Sequence, residues 1–434
     1  MIVRLNLSRA RTRPDAAGSE THEKPLSGRG DRARLPGFVT YVLQFGNVGQ
    51  SGVVMVTGKR IYEIDFFRGL ALFMIVIDHI PGSSLGLFTL RNFAFCDATE
   101  MFVFISGLAA TIAFSRTQER KGAAEARQRM YRRSLKIYLS YVAMSLGLVI
   151  LGLILTFYGH PSNALGGTFV ADATADFAGY TLAILVMATQ PPLADILPLY
   201  VILIASAPFI VNAMKKSPVP VLAISAAIWW VAHDLNTMIP HQGMHGFLFN
   251  PFAWQLMFVC GVLFGVHGSA ILTVLDKHAG KVTWAAGIYA AIAAVLALSW
   301  KMPEVSAIFP PKKWAEMIYP ISKDDLSILR FLSFFSVAWL TRLTVARMTV
   351  DWQHGAASAV TMIGRNGLPV FCLGAFISTG ADIMTRNLDF PGQDLIVAAI
   401  AFALLLAIAW VSDQPLSSRK TFARLQLRFA SREG

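Results

Sequence analysis

Charge is scarce in this chain. Asp, Glu, Lys and Arg make up 15% of its 434 residues, against about 25% in soluble globular domains. That shortage excludes an ordinary soluble fold, and a mean hydropathy of +0.53 agrees. Cysteine is scarce too. Cys96, Cys260 and Cys372 all lie in apolar surroundings, with no disulfide or metal-ligand spacing, so they read as small buried hydrophobes. Alternating ten-residue segments are missing, which excludes a transmembrane β-barrel. So are P-loops, Rossmann glycine fingerprints and GxSxG elbows. The net charge of +12 does not point to nucleic acid. The positive residues sit between apolar runs, where membrane topology places them.

What is plentiful is apolar sequence in runs of about 20 residues, each able to cross a hydrocarbon core ~30 Å thick. The chain reads as an all-α, polytopic integral membrane protein with about ten transmembrane helices. They fall at roughly 62–81, 94–114, 134–158, 195–214, 218–238, 252–272, 282–300, 326–345, 366–385 and 394–412. A shorter run, 177–189, reads as re-entrant or interfacial. Residues 1–55 are rich in Arg, Gly, Pro and Ser and lack amphipathic period. They read as a disordered basic cytoplasmic extension, or as sequence ahead of a true initiator at Met55. No apolar core follows the basic start, so a signal peptide is not indicated. Residues 60–412 form the membrane domain, and 413–434 a basic tail.

Lysine and arginine set the orientation. Arg116, Arg120, Lys121, Arg127, Arg129, Arg132 and Arg133 follow the second span, whereas 159–194 and 239–251 hold no Lys or Arg. Both termini are therefore expected in the cytoplasm of a bacterial inner membrane protein. The segment 301–325, with Lys301, Lys312, Lys313 and Lys323, is an outer loop against the rule.

The first two spans carry ionisable residues that lipid disfavours by roughly 2.5–3.5 kcal/mol each on insertion scales. Arg68 and His79 are eleven residues apart, close to three helical turns, so they share a face. Asp65 lies one turn before Arg68 and can pair with it. Arg68 offers a fork of donors to an anion entering from the cytoplasm, or forms an interfacial ion pair. His79, near the outer end, suits a general base, or is a helix-end histidine satisfied locally. On the second span, Glu100 lies deeper than Asp97 and could orient His79. Asp97 suits a cap equally well. Ser106 offers a hydrogen bond, and Gly107 a close helix contact. Arg129 and Arg132, spaced RxxR, either anchor the cytoplasmic boundary or clamp a second anionic group. The HQGMH segment at 241–245 has histidines at i, i+4, but no carboxylate completes a metal site, and no metal is expected. Such intramembrane charges also suit a carrier or exporter of an anionic or sugar substrate, with Arg68, Arg129 and Arg132 as its anion sites.

The step from Arg68 to His79, Ser106-Gly107 and the RxxR pair together resemble the acyltransferase-3 family of membrane proteins, which O-acylate sugars. Longer blocks resemble the OpgC proteins within it: EIDFFRGLALFMIVIDHIPG, FTLRNFAFCDATEMFVFISG, DILPLY, FNPFAWQLMFVCG and GRNGLPVFCLG. These proteins are associated with succinylation of osmoregulated periplasmic glucans. The resemblance implies an acyl group, succinyl, taken from a cytoplasmic acyl-CoA co-substrate and delivered to hydroxyls of periplasmic glucan, with no tightly bound cofactor. It makes His79 the catalytic histidine, Arg68 its essential partner, and Arg129 and Arg132 contacts of the acyl donor. For the developing oxyanion, Ser106, Trp254, Gln255 and Asn366 are candidate donors. Many acyltransferase-3 members carry a further histidine in a late span; here none follows His354, and Cys372 stands in that region.

Overall fold

The computed structural model describes residues 61–414 apart from 81–82, 161, 163–164, 166, 240–245, 302–311, 349, 388–389 and 391. The amino-terminal extension, the HQGMH segment and all but the start of the basic tail fall outside those residues. Helices make up the regular structure, with no strand among the described residues. Among the described residues, seven helices are long and apolar enough to cross a membrane. They are α2 (Ala98–Phe157), α5 (Ile196–Lys216), α8 (Pro251–Lys277), α9 (Ala279–Lys301), α11 (Ile328–Arg347), α13 (Gly367–Asn387) and α14 (Gln393–Asp413). The protein is an all-helical polytopic membrane protein. Phe157, Trp230, Trp284 and Leu395 are among the large apolar side chains left exposed, as lipid contact allows.

The remaining helices are shorter. They are α1 (Tyr62–Asp78), α3 (Gly167–Ala175), α4 (Phe177–Leu185), α6 (Pro218–Trp230), α7 (Ala232–Thr237), α10 (Lys312–Ile318) and α12 (Gly355–Arg365). The run expected to be re-entrant or interfacial contains α4, which Tyr138 of α2 holds through its hydroxyl to the Leu185 carbonyl at 2.7 Å. The span expected at 218–238 is divided into α6 and α7 at Val231.

Two expected spans are arms of one element. Helix α2 has 60 residues, about 90 Å at 1.5 Å per residue, several times the hydrocarbon thickness. The helix is interrupted at Gly122, with φ 86° and ψ 169°, a conformation that glycine adopts without a Cβ penalty. The Arg129 guanidinium donates to the Thr117 hydroxyl at 3.1 Å. A straight helix would hold residues twelve apart about 18 Å from each other, so the chain turns back at Gly122. The basic stretch expected as a loop is thus helical on both sides of that glycine. Its Arg, Lys, Glu, Gln and Ala residues are strong helix formers.

Glycines bring the site-bearing helices together. A methyl on Gly69 of α1 would overlap the Val360 carbonyl of α12, and one on Gly364 would overlap the Asp65 carbonyl. Gly107 of α2 meets the Phe258 carbonyl of α8 in the same way, and Gly261 meets that of Phe104. Lipid is as apolar as leucine, so close backbone packing of small residues replaces the hydrophobic drive between helices. The largest core cluster, with Phe114, Tyr141, Trp254 and Phe258 fully buried, lies among α2, α5 and α8.

Candidate active site

Helix α1 carries a cation near one end and a histidine at the other, and cavities follow one another between them. At the first end Asp65 lies 3.6 Å from Arg68, the pairing its spacing predicts. Asp65, Arg68, Arg116, Arg120, Lys121, Arg129 and Arg133 line a basic cavity of about 450 Å³. Arg132 is exposed and lies outside that lining. Helical geometry gives the reason. From Arg129, a step of four residues turns about 40° from the starting face, and a step of three turns about 60° the other way. Arg133 therefore shares the cavity-lining face of Arg129, and Arg132 does not.

Arg68 and Arg133 also line a central cavity of about 790 Å³, together with Ser106, Tyr200, Arg365 and Asn366. Asn366 sends its side-chain amide to the Met362 and Ala409 carbonyls, both at 3.1 Å, so its donors tie α12 to α14. Ser106, itself buried, is part of the cavity wall.

Ile196 and Phe371 belong both to the central cavity and to a smaller chamber of about 170 Å³ that contains His79. His79 ends α1 as its C-cap residue. Its Nδ1 lies 2.6 Å from the Ile75 carbonyl oxygen. A carbonyl only accepts, so Nδ1 carries the hydrogen, and the neutral ring keeps its lone pair on Nε2. Asp195, Lys323 and Asp324 line the same chamber. Arg68 and His79 are thus about 16 Å apart along α1, joined by cavities that share walls.

A family model described as OpgC protein matches residues 60–415, the whole span of this architecture. The chain belongs to the OpgC family. Neither a curated protein nor a solved structure matches it. Family membership makes it a membrane acyltransferase that modifies glucan.

Several residues of this OpgC protein have other work than the sequence suggests. Glu100 does not orient His79. Its Oε1 accepts from Arg330 at 2.6 Å, and its Oε2 accepts from the Asp97 backbone amide at 2.9 Å. Asp97 in turn accepts from the Thr99 amide at 2.7 Å, completing a capping box at the start of α2. Asp97 also lies 2.8 Å from Lys323 and 3.0 Å from Arg330. The result is a network of two carboxylates and two cations, with Asp97, Glu100 and Arg330 buried and Lys323 half-buried at its edge. Asp78, a sequence neighbour of His79, is held aside by Thr89 at 2.5 Å and Arg91 at 3.4 Å.

Trp254 and Gln255 line none of these cavities. The Trp254 indole donates to the Lys323 and Asp324 carbonyls, both at 3.1 Å, and so fixes the loop that carries Lys323. Gln255 pairs with Ser225 of α6, through the hydroxyl at 2.6 Å and the carbonyl at 2.8 Å. Two lysines of the segment 301–325 are tied to protein partners, Lys301 to the Arg91 carbonyl and Lys323 to Asp97.

Sequence reasoning missed Arg330, Lys323 and Arg133. Arg330 carries the same signal as Arg68, a cation inside an apolar run. Arg133 is the i+4 neighbour of Arg129. Lys323 is one of the four lysines of 301–325 that break the charge rule, and nothing in the sequence sets it apart from the other three. Among the described residues no group of three His, Cys, Asp or Glu could hold a metal ion.

Proposed function

We propose that this OpgC protein moves a succinyl group from cytoplasmic succinyl-CoA to hydroxyls of periplasmic glucan, in the bacterial inner membrane with both termini cytoplasmic. The basic cavity around Arg68, Arg116, Arg129 and Arg133 takes the phosphates of the donor, since guanidinium groups bind phosphate through paired, charge-assisted hydrogen bonds. The acyl thioester lies along the central cavity toward His79.

At His79 the imidazole Nε2 takes the proton of a glucan hydroxyl as its oxygen attacks the thioester carbonyl carbon. A new C–O bond forms, the C–S bond breaks, and the thiolate leaves with the proton that His79 returns. One observation carries this reading: the hydrogen bond of Nδ1 to the Ile75 carbonyl leaves Nε2 as the basic nitrogen in the chamber. Ser106 and Asn366 line the central cavity and not the His79 chamber, so they border the path of the acyl chain rather than the reacting carbonyl.

The test compares periplasmic glucans from a strain lacking the gene with those from the same strain carrying it. Succinylation adds a negative charge to the glucan and acetylation does not, so anion-exchange elution and mass separate the two. Glucan unchanged in both charge and mass would refute the reading.

A further inference from the structure

The chamber around His79 has one cation among the Lys and Arg residues of the described chain that line it, and that is Lys323. The side chain is held in place from several directions. Its Nζ lies 2.8 Å from Asp97 and 5.4 Å from the centre of the Phe249 ring, and Trp254 grips its backbone carbonyl. Burial works against the ammonium, but Asp97 beside it holds the amine above its usual range. Arg330 lies 3.0 Å from the same Asp97 oxygen, so Asp97 is held from a second side as well. An ammonium has three donors, and Asp97 takes one of them. Lys323 can therefore hold Asp97 and a second carboxylate together.

We propose that Lys323 selects an acyl group bearing a second, free carboxylate, by pairing with that carboxylate while the thioester carbon lies beside His79. This rests on the acyl-transfer reading above. The chamber, about 170 Å³, matches a short four-carbon chain better than a long one. The other charged groups facing it, Asp195 and Asp324, suit a different partner. Burial pushes the Asp195 carboxyl up to about 6 and raises that of Asp324 as well. Both are acceptors for the hydroxyls of a sugar, which carry no charge. The chamber thus offers a cation to the acyl carboxylate and two carboxylates to the hydroxyls of the acceptor.

The experiment uses the full-length protein in membrane vesicles with glucan acceptor. It compares succinyl-CoA, its monomethyl ester and acetyl-CoA as donors. The wild-type protein is expected to prefer succinyl-CoA over the ester by about tenfold or more, the scale of one charge-assisted hydrogen bond. Lys323→Met is expected to lower the succinyl-to-acetyl rate ratio by about the same factor, and Lys323→Arg to keep most of it. A wild-type protein that uses the ester as well as succinyl-CoA overturns the proposal, and that result needs no variant to fold. An unchanged ratio in Lys323→Met overturns it equally. If the wild-type protein transfers none of the three groups, the acyl-transfer reading fails and this inference with it. Transfer of all three without preference removes the role of Lys323 alone.

Discussion

The Arg330 guanidinium, from α11, meets the Glu100 carboxylate of α2 at 2.6 Å, and Glu100 is fully buried. The two residues are 230 positions apart in the chain. Arg330 also reaches Asp97 at 3.0 Å, so one cation answers both acidic members of the capping box. Removing one partner of a buried pair leaves an uncompensated charge, which costs about 3–5 kcal/mol. Arg330→Met is therefore expected to lower the melting temperature of the detergent-solubilised protein strongly. The double variant Glu100→Gln/Arg330→Met should recover part of that loss, because it removes both charges. A double variant no better than Arg330→Met would show that the pair is not coupled.

His79 should behave in the opposite way. It ends its helix, and its ring is exposed to the chamber. His79→Ala is expected to reduce glucan acylation by about 10²–10⁴-fold, the usual contribution of a general base. The melting temperature should stay close to that of the wild-type protein. Full modification of glucan by His79→Ala would remove the histidine from the mechanism.

The glycine contacts between α1 and α12 make a structural prediction. Gly69→Ala places a methyl on the Val360 backbone carbonyl, which cannot rotate away as a side chain could. Overpacking of this kind costs about 1–3 kcal/mol or more. Because α1 carries both Arg68 and His79, activity should fall along with thermal stability. Gly287→Ala on α9, with open space around it, is the control and should leave both unchanged.

How far the sequence reveals this site depends on the kind of interaction. The class of fold was legible because hydrocarbon leaves no choice but apolar helices. The face shared by Arg68 and His79 was legible because both lie on one helix with a fixed period. The role of Glu100 was not, because its partner Arg330 comes from α11, and no local spacing connects them. Helix α12 was missed for a similar reason. Its eleven residues are too few to cross a membrane, and its place is set by Gly69 and Gly364 meeting its neighbour's backbone. Trp254 and Gln255 stood out as polar groups in an apolar run, but a polar group there can serve packing as readily as chemistry. Trp254 holds the Lys323 loop, and Gln255 joins α8 to α6.

The cavity around Arg68 separates Arg133 from Arg132. If the RxxR motif itself clamped the donor, Arg129 and Arg132 would act as a pair. The structure puts Arg129 and Arg133 on the cavity wall and leaves Arg132 exposed outside it. A hydrogen bond to a charged group contributes about 1.5–3 kcal/mol, or roughly tenfold to a hundredfold in binding. Arg129→Gln and Arg133→Gln are each expected to raise the KM for succinyl-CoA by at least about tenfold, with a smaller change in kcat. Arg132→Gln should change KM by less than about twofold, as exposed charges usually do. The contrast is measurable in membrane vesicles over a range of donor concentrations. It should shrink at high salt, because screening weakens the exposed part of the basic cavity most. If Arg132→Gln raises KM as far as Arg133→Gln does, the donor contacts the other face of this helix, and the cavity is not its binding site.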